Sequence, residues 1–227
     1  GPAASGKTTV AKALAGRLGF LYLDSGVLYR ALTWVALRRR IGTGDAAALA
    51  ALAKSVRIDV RPAPEGDQRQ TIVLADGEDI SLSIRSREVD ANVSEVSAHQ
   101  EVRAALVDLQ RSFAKKGAVV LAGRDMGTVI WPQAEVKLYL DATAEERARR
   151  RQRQAREQGT ELEFEAVLAD LRRRDQFDSS RAVAPLRPAD DAVIMDTTLM
   201  TVDEVVGRAM DIARAFLPPA PSEEFSR

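Results

Sequence analysis

Gly1-Pro2-Ala3-Ala4-Ser5-Gly6-Lys7-Thr8-Thr9 opens the chain and fits the pattern G-x-x-x-x-G-K-[ST]. These residue types at this spacing make a phosphate-binding loop. Glycine lets the backbone curl so that main-chain N–H groups point inward on a polyphosphate. Lys7 offers a point charge to the outer phosphates, and the Thr8 hydroxyl suits Mg²⁺. Residues 10–18 read as a helix whose N-terminal dipole adds to the same anion site. A chance glycine-rich turn is the bland alternative, and it leaves the Lys, the Thr and the helix unexplained.

The second half is rich in arginine. Arg147, Arg149, Arg150, Arg151, Arg153 and Arg156 fall within ten residues, with no acid between them. Three readings are open: a nucleic-acid helix, a lid that closes over nucleotide phosphates, or a solvated face with acidic partners elsewhere. No aromatic residue interleaves them, so stacking on single strands is unsupported, and the phosphate loop favours the lid. Arg174, Asp178 and Arg181 stand at i, i+4 and i+7, on one face if the helix continues through them. Two guanidiniums flanking a carboxylate can take a phosphate and a sugar hydroxyl together; a surface ion-pair ladder is the alternative. Arg124-Asp125 and Asp24-Ser25 follow apolar runs, where strands end. A strand-end arginine is costly to bury without an anion. Mutual pairing of Arg124 with Asp125 or Asp24 is the structural alternative to a bound phosphate.

The elements that must hold these residues alternate. Strands are expected at 20–23, 118–121, 136–140 and 192–195, and helices at 27–40, 44–54, 86–116, from Thr143, at 162–178 and from Thr201. Thr143-x-x-Glu146 and Thr201-x-x-Glu204 both read as capping boxes. Residues 58–60 and 71–74 read as a small antiparallel sheet, separated by the turn-rich run Arg61 to Asp67. Alternation argues an α/β fold with a parallel sheet covered by helices on both faces. The polar residues Asp24, Arg124, Asp125, Asp141 and Asp196 follow the strand ends, where open α/β sheets bind ligands. A phosphate loop ordinarily follows a buried strand. None precedes Gly1, so about ten residues, one buried strand plus a short lead, are expected upstream, and a central member of the sheet is expected to be absent from this chain.

Composition narrows the classes. The 227 residues carry 33 Lys+Arg against 33 Asp+Glu, so net charge gives no general pull on polyanions. There is no cysteine, which excludes disulfides, zinc–thiolate sites and a cysteine nucleophile. The single histidine, His99, carries no assigned chemistry, and Trp34 and Trp131 are expected to pack. No apolar run reaches 18 residues, and no signal peptide is visible. A cytoplasmic protein without a membrane span is expected.

These segments resemble the bacterial cytidylate kinase family, which are nucleoside-monophosphate kinases. The likeness runs from Gly1 to about Phe216. It rests on Gly1–Thr9, on Leu23-Asp24-Ser25-Gly26 with Tyr29-Arg30, on Gly123-Arg124-Asp125-Met126-Gly127-Thr128, and on Arg174-Asp175 through Arg181-Ala182-Val183-Ala184-Pro185-Leu186. The stretch at about 56–85 is similar to the family's small sheet. The departure from the family pattern is the absent first strand, including an Asp that the family places just before the loop.

The resemblance implies transfer of the ATP γ-phosphoryl to CMP or dCMP with Mg²⁺. It implies that Gly1 through Thr9 hold ATP together with Arg147 and Arg151, with Thr8 at the metal. Lys7, Arg124, Arg181 and Arg150 would act on the transferring group. Ser25, Ser94, Arg103 and Asp125 would read cytosine or its sugar. Arg174 and Asp178 would contact the ribose, with Arg30, Arg124 and Arg181 on the acceptor phosphate. The implied organisation is a P-loop core (1–24, 86–142, 187–217), a monophosphate region (25–85), a lid with flanking helices (143–186) and a disordered tail (218–227). Small nucleotides are the expected partners of a monomer, with neither nucleic acid nor membrane. A P-loop kinase of another small acceptor, of shikimate-kinase type, and a nucleic-acid-binding P-loop protein are the competing readings.

Overall fold

A computed structural model describes residues 1–64, 71–157, 159–181 and 183–216. The expected disordered tail at 218–227 and part of the turn-rich run at 61–67 lie outside the described residues. The fold is mixed α/β with parallel strand pairs and divides into two compact units. One comprises Gly1–Leu14 and the chain from Arg124 onward; the other is Ala15–Gly123. Helix α1 (Lys7–Leu18) carries the chain from the first to the second.

In the second unit, β1 (Leu21–Asp24) pairs parallel with β5 (Val119–Ala122), Leu21 opposite Val119 and Asp24 opposite Ala122. Helix α2 (Ser25–Arg38) starts directly at the end of β1 because Asp24 caps it, accepting from Gly26 N at 2.9 Å. Leu28, Ala31, Leu32 and Val35 recur at i, i+3, i+4 and i+7, and all are buried. Each fully buried leucine contributes about 1.5–3 kcal/mol relative to exposure. This stripe packs in a core with Leu49 of α3 (Ala46–Ser55), Val60 of β2 (Ile58–Pro62) and Val73 of β3 (Thr71–Ala75). Strands β2, β3 and the short β4 (Glu78–Asp79) form the antiparallel sheet that the sequence pattern predicts.

The helix expected over 86–116 is two helices, α4 (Arg87–Val96) and α5 (Gln100–Ala114). His99 is extended at the N-cap of α5, and its Nε2 donates to Thr43 O at 2.7 Å. The break has a packing reason. Val96 and Val102 are both fully buried, yet in one continuous helix six residues would place them roughly 120° apart. No glycine or proline marks the break, so the sequence hid it. The apolar face of α5 is as expected: Val102, Leu106 and Phe113 are buried, and Ala105 and Leu109 are partly so. Gly117 ends the segment with φ +70°.

In the first unit, β6 (Leu138–Asp141) pairs parallel with β7 (Val193–Asp196), so that Asp141 and Asp196 end side by side. Helix α6 (Ala144–Glu157) packs against α7 (Phe164–Ser179) around Ala148, Leu168 and Leu171, and Ala3 and Ala4 of the loop join this cluster. Thr201 and Glu204 form the expected reciprocal capping box on α8 (Val202–Arg214). The other box is half made. Thr143 Oγ1 accepts from Glu146 N at 3.3 Å, but Thr143 N donates to Thr198 Oγ1. The Glu146 carboxylate turns instead to arginines of its own helix. Among the described residues no helix is long and apolar enough to cross a membrane.

Candidate active site

The phosphate loop lies hard against β6. A Cβ on Gly1 would sit 2.1 Å from Leu140 O, so only glycine allows this approach. Gly6 has φ +91° and Ala4 φ +59°, and these left-handed residues curl the loop. Ser5 is buried. The Lys7 ammonium donates to Pro2 O and reaches Ser5 Oγ at 3.5 Å. It therefore folds back over its own loop. Thr8 and Thr9 are exposed in the first turn of α1, which carries no acid to compete with an anion.

Arg124 and Arg181 close on Asp178 in the same unit. The Asp178 side chain is 1% exposed and pairs with Arg124 Nε and with Arg181 Nη2, the latter at 2.6 Å. Burial lowers the pKa of Arg124; Asp178 raises it again, and Arg181 opposes. Two guanidiniums thus share one buried carboxylate, with Asp175 and Asp125 near enough to act on Arg124 as well. Asp125 is buried beside Arg124 in sequence, at the start of a π-helical turn, Met126–Ile130.

This cluster corrects one expectation and removes one alternative. Helix α7 ends at Ser179, so Arg181 lies beyond it, and Asp178 is held between Arg124 and Arg181 rather than between Arg174 and Arg181. The carboxylate partner of Arg124 is neither Asp125 nor Asp24. Arg174 lies on α7 and is exposed.

The six arginines of α6 separate. Arg147 is buried and bonds Ala3 O, Ala142 O and Asp175. Arg150 donates to Thr197 Oγ1 at 3.1 Å and Thr197 O at 2.5 Å, and pairs with Glu146 at 3.2 Å. A Cβ on Gly6 would lie 3.8 Å from its Nη1, so Arg150 borders the phosphate loop. Arg149 and Arg153 are exposed and turn to Glu146, and Arg151 donates to Gln154 Oε1 at 3.3 Å.

The remaining candidates belong to the second unit. Ser25 is buried in the first turn of α2. Arg30 donates to Ile84 O at 3.0 Å and pairs with Asp90 at 2.6 Å. Arg103 of α5 is buried, stands 5.6 Å from the centre of the Tyr29 ring and reaches Ser97 O at 3.4 Å. Ser94 is exposed on α4. Helices α2, α4 and α5 thus carry Ser25, Arg30, Ser94 and Arg103 within one unit. Lys7, Arg124, Asp125, Arg147, Arg150, Arg151, Arg174, Asp178 and Arg181 lie in the other.

A family model described as cytidylate kinase matches residues 1–215. The chain belongs to the cytidylate kinase family. The cytidylate kinase of Geobacillus sp. (strain WCH70) is 46% identical over 212 residues, 93% of each chain. That of Herpetosiphon aurantiacus is 48% identical over 205 residues, 90% of this chain and 88% of its own. That of Pasteurella multocida is 43% identical over 217 residues, 96% and 94% of the two chains.

Family membership gives the site a frame but does not by itself place each side chain. Three residues escaped the reading of the sequence. Glu146 was legible as a cap and serves as the acceptor for Arg149, Arg150 and Arg153. Thr197 is buried, donates to Asp141 O at 2.9 Å and receives Arg150; its signal was its place just after the strand end at Asp196. Asp175 binds Arg147, and nothing in its spacing announces that.

Proposed function

We propose that the chain transfers the γ-phosphoryl group of ATP to CMP or dCMP, giving ADP and CDP or dCDP. The observation that carries this is the pairing of Arg124 and Arg181 on buried Asp178, in the unit that also holds the phosphate loop. Two guanidiniums already gathered on one carboxylate are preorganised for an acceptor phosphate, and Asp178 remains to accept from sugar hydroxyls with Arg174 beside it. Arg30 offers a further guanidinium for an acceptor phosphate. Ser25, Ser94, Arg103 and Asp125 offer the donors and acceptors that a cytosine edge and its sugar require.

The step is an in-line displacement. The bond from the γ-phosphorus to its bridging oxygen breaks, and a new bond forms to an oxygen of the acceptor phosphate. The attacking group is already an anion, so no general base is needed. The work is electrostatic. Lys7 leaves Pro2 O for the donor phosphates, and Arg150 and Arg151 add charge from α6. A preorganised donor of this kind is worth about 3–4 kcal/mol. The Thr8 hydroxyl, exposed in the first turn, fits Mg²⁺. Thr8 would hold the ion together with the nucleotide phosphates. When bound, Mg²⁺ neutralises charge across the phosphates. In this reading residues 143–186 form a lid that excludes water, which would otherwise hydrolyse ATP.

A coupled assay of ADP release against each monophosphate tests the acceptor. CMP and dCMP should outrun AMP and GMP widely, with UMP between, because a base site with unpaired polar groups rejects the wrong base. Equal rates with AMP would overturn the assignment. Kinases of other small acceptors and nucleic-acid-binding proteins are not favoured, given the family match along the chain.

A further inference from the structure

Arg147 stands early in α6, yet it does not resemble a lid arginine. Its side chain is 6% exposed, and its guanidinium is engaged on three elements at once. Nε donates to Ala142 O at 2.9 Å, past the end of β6. Nη1 donates to Ala3 O in the phosphate loop at 3.1 Å, and Nη2 to Asp175 Oδ2 on α7 at 2.5 Å. Only a planar fork of donors reaches three acceptors in this way; an ammonium does not. Buried, such a cation needs a carboxylate, and Asp175 supplies it.

The bond to Ala3 O fixes more than a carbonyl. In a trans peptide the C=O and the following N–H point opposite ways. Holding the Ala3 carbonyl on Arg147 therefore turns the Ala4 N–H away from Arg147. Ala4 itself has φ +59°, a conformation alanine rarely takes and keeps only where its surroundings over-determine it. Asp175, in turn, stands three residues before Asp178 on α7, one turn away on the same side. We propose that Arg147 and Asp175 are a positioning pair that aims the Ala4 N–H at the donor phosphates and ties the phosphate loop to the helix bearing Asp178. The proposal rests on the phosphoryl-transfer reading of the site.

The test uses full-length, ¹⁵N-labelled protein titrated with the β,γ-imido analogue of ATP and Mg²⁺. In the native protein the Ala4 amide resonance should shift strongly, together with those of Gly6 and Thr8. In Arg147→Lys and in Asp175→Asn the Ala4 shift should shrink while those of Gly6 and Thr8 persist. Turnover should fall about ten- to a hundredfold in kcat, the scale of a small misplacement, with a smaller change in KM for ATP. The double variant should be little worse than either single one. An unchanged Ala4 response with native kcat would overturn the proposal. A loss confined to the KM for ATP would also overturn it, making Arg147 a direct ATP contact. Loss of cooperative melting in both variants would make the pair a folding determinant and overturn a positioning role. The amide shifts need no acceptor, so failure of CMP as a substrate would show separately, as native protein that binds the analogue but phosphorylates no monophosphate.

Discussion

Arg124, Arg147 and Arg181 have side chains 24%, 6% and 11% exposed, whereas Arg149, Arg153, Arg172 and Arg173 are 61%, 68%, 61% and 80% exposed. All seven are ion-paired, so pairing does not separate them. Burial does. An exposed pair gains little, because water solvates both partners nearly as well apart. A buried pair must offset desolvation by geometry, and deleting one partner strands the other. The inner arginines and their carboxylates are thus where a substitution reaches both fold and chemistry. The outer ones keep the helices soluble. Lys7 sits between these classes: partly buried, its ammonium donates to Pro2 O and reaches Ser5 Oγ.

The largest effect should come from Lys7→Ala. Its bonds to Pro2 O and Ser5 Oγ lie within its own loop, so we expect the fold to lose less than the transferring group, which on the proposed reading loses a preorganised charge. We expect kcat to fall by about a hundredfold or more, with Tm nearly unchanged. Retained turnover together with an earlier melt would make Lys7 a structural residue. Asp178→Ala comes next. It leaves Arg124 and Arg181 facing each other without their carboxylate, a loss of about 3–5 kcal/mol by analogy with broken buried pairs. Calorimetry should show weaker CMP binding and nearly unchanged ATP binding; an equal loss for both nucleotides would contradict the assignment. Arg153→Ala is the control from the outer class. It should change stability by less than about 1 kcal/mol and leave kcat within about twofold. A large loss would mean that this face meets the nucleotide.

The same contrast explains what the sequence made legible. The phosphate loop, the strands ending in Asp24, Asp141 and Asp196, the small sheet and the apolar stripe of α5 are local patterns, and each was readable. What escaped depended on contacts far apart in the chain. The break at His99 rests on Thr43, and the apolar residues on either side give no sign of it. Arg147 finds Ala3 across 144 residues and Asp175 across 28. Spacing suggested Arg174 and Arg181 as the partners of Asp178 on one helix face; Arg181 does pair with it, but the second guanidinium is Arg124, which local spacing could not announce. The helix stops at Ser179, and Arg124 arrives from a distant strand end. The two T-x-x-E signals were indistinguishable as sequence. Only the neighbourhood of Arg150 and Arg153 diverts Glu146 from the backbone that Glu204 keeps.

The smallest predicted effect turns on that last difference. Glu204 is at the surface, and its carboxylate accepts from Thr201 N at 2.7 Å and Thr201 Oγ1 at 2.9 Å. These bonds, the backbone one first, hold its pKa below the ordinary 4.5. A carboxyl depressed in the folded state stabilises the fold above its unfolded pKa, and that contribution disappears as pH falls through the folded value. Glu204→Gln should therefore lower Tm slightly at pH 7, and the gap to the native protein should close as pH drops from about 4.5 downward. Arg153→Ala, tested over the same range, separates the two boxes, because Glu146 gives its carboxylate to arginines and only Glu204 gives it to the helix start. A gap for Glu204→Gln that widens in acid would mean the charge was never held by the cap.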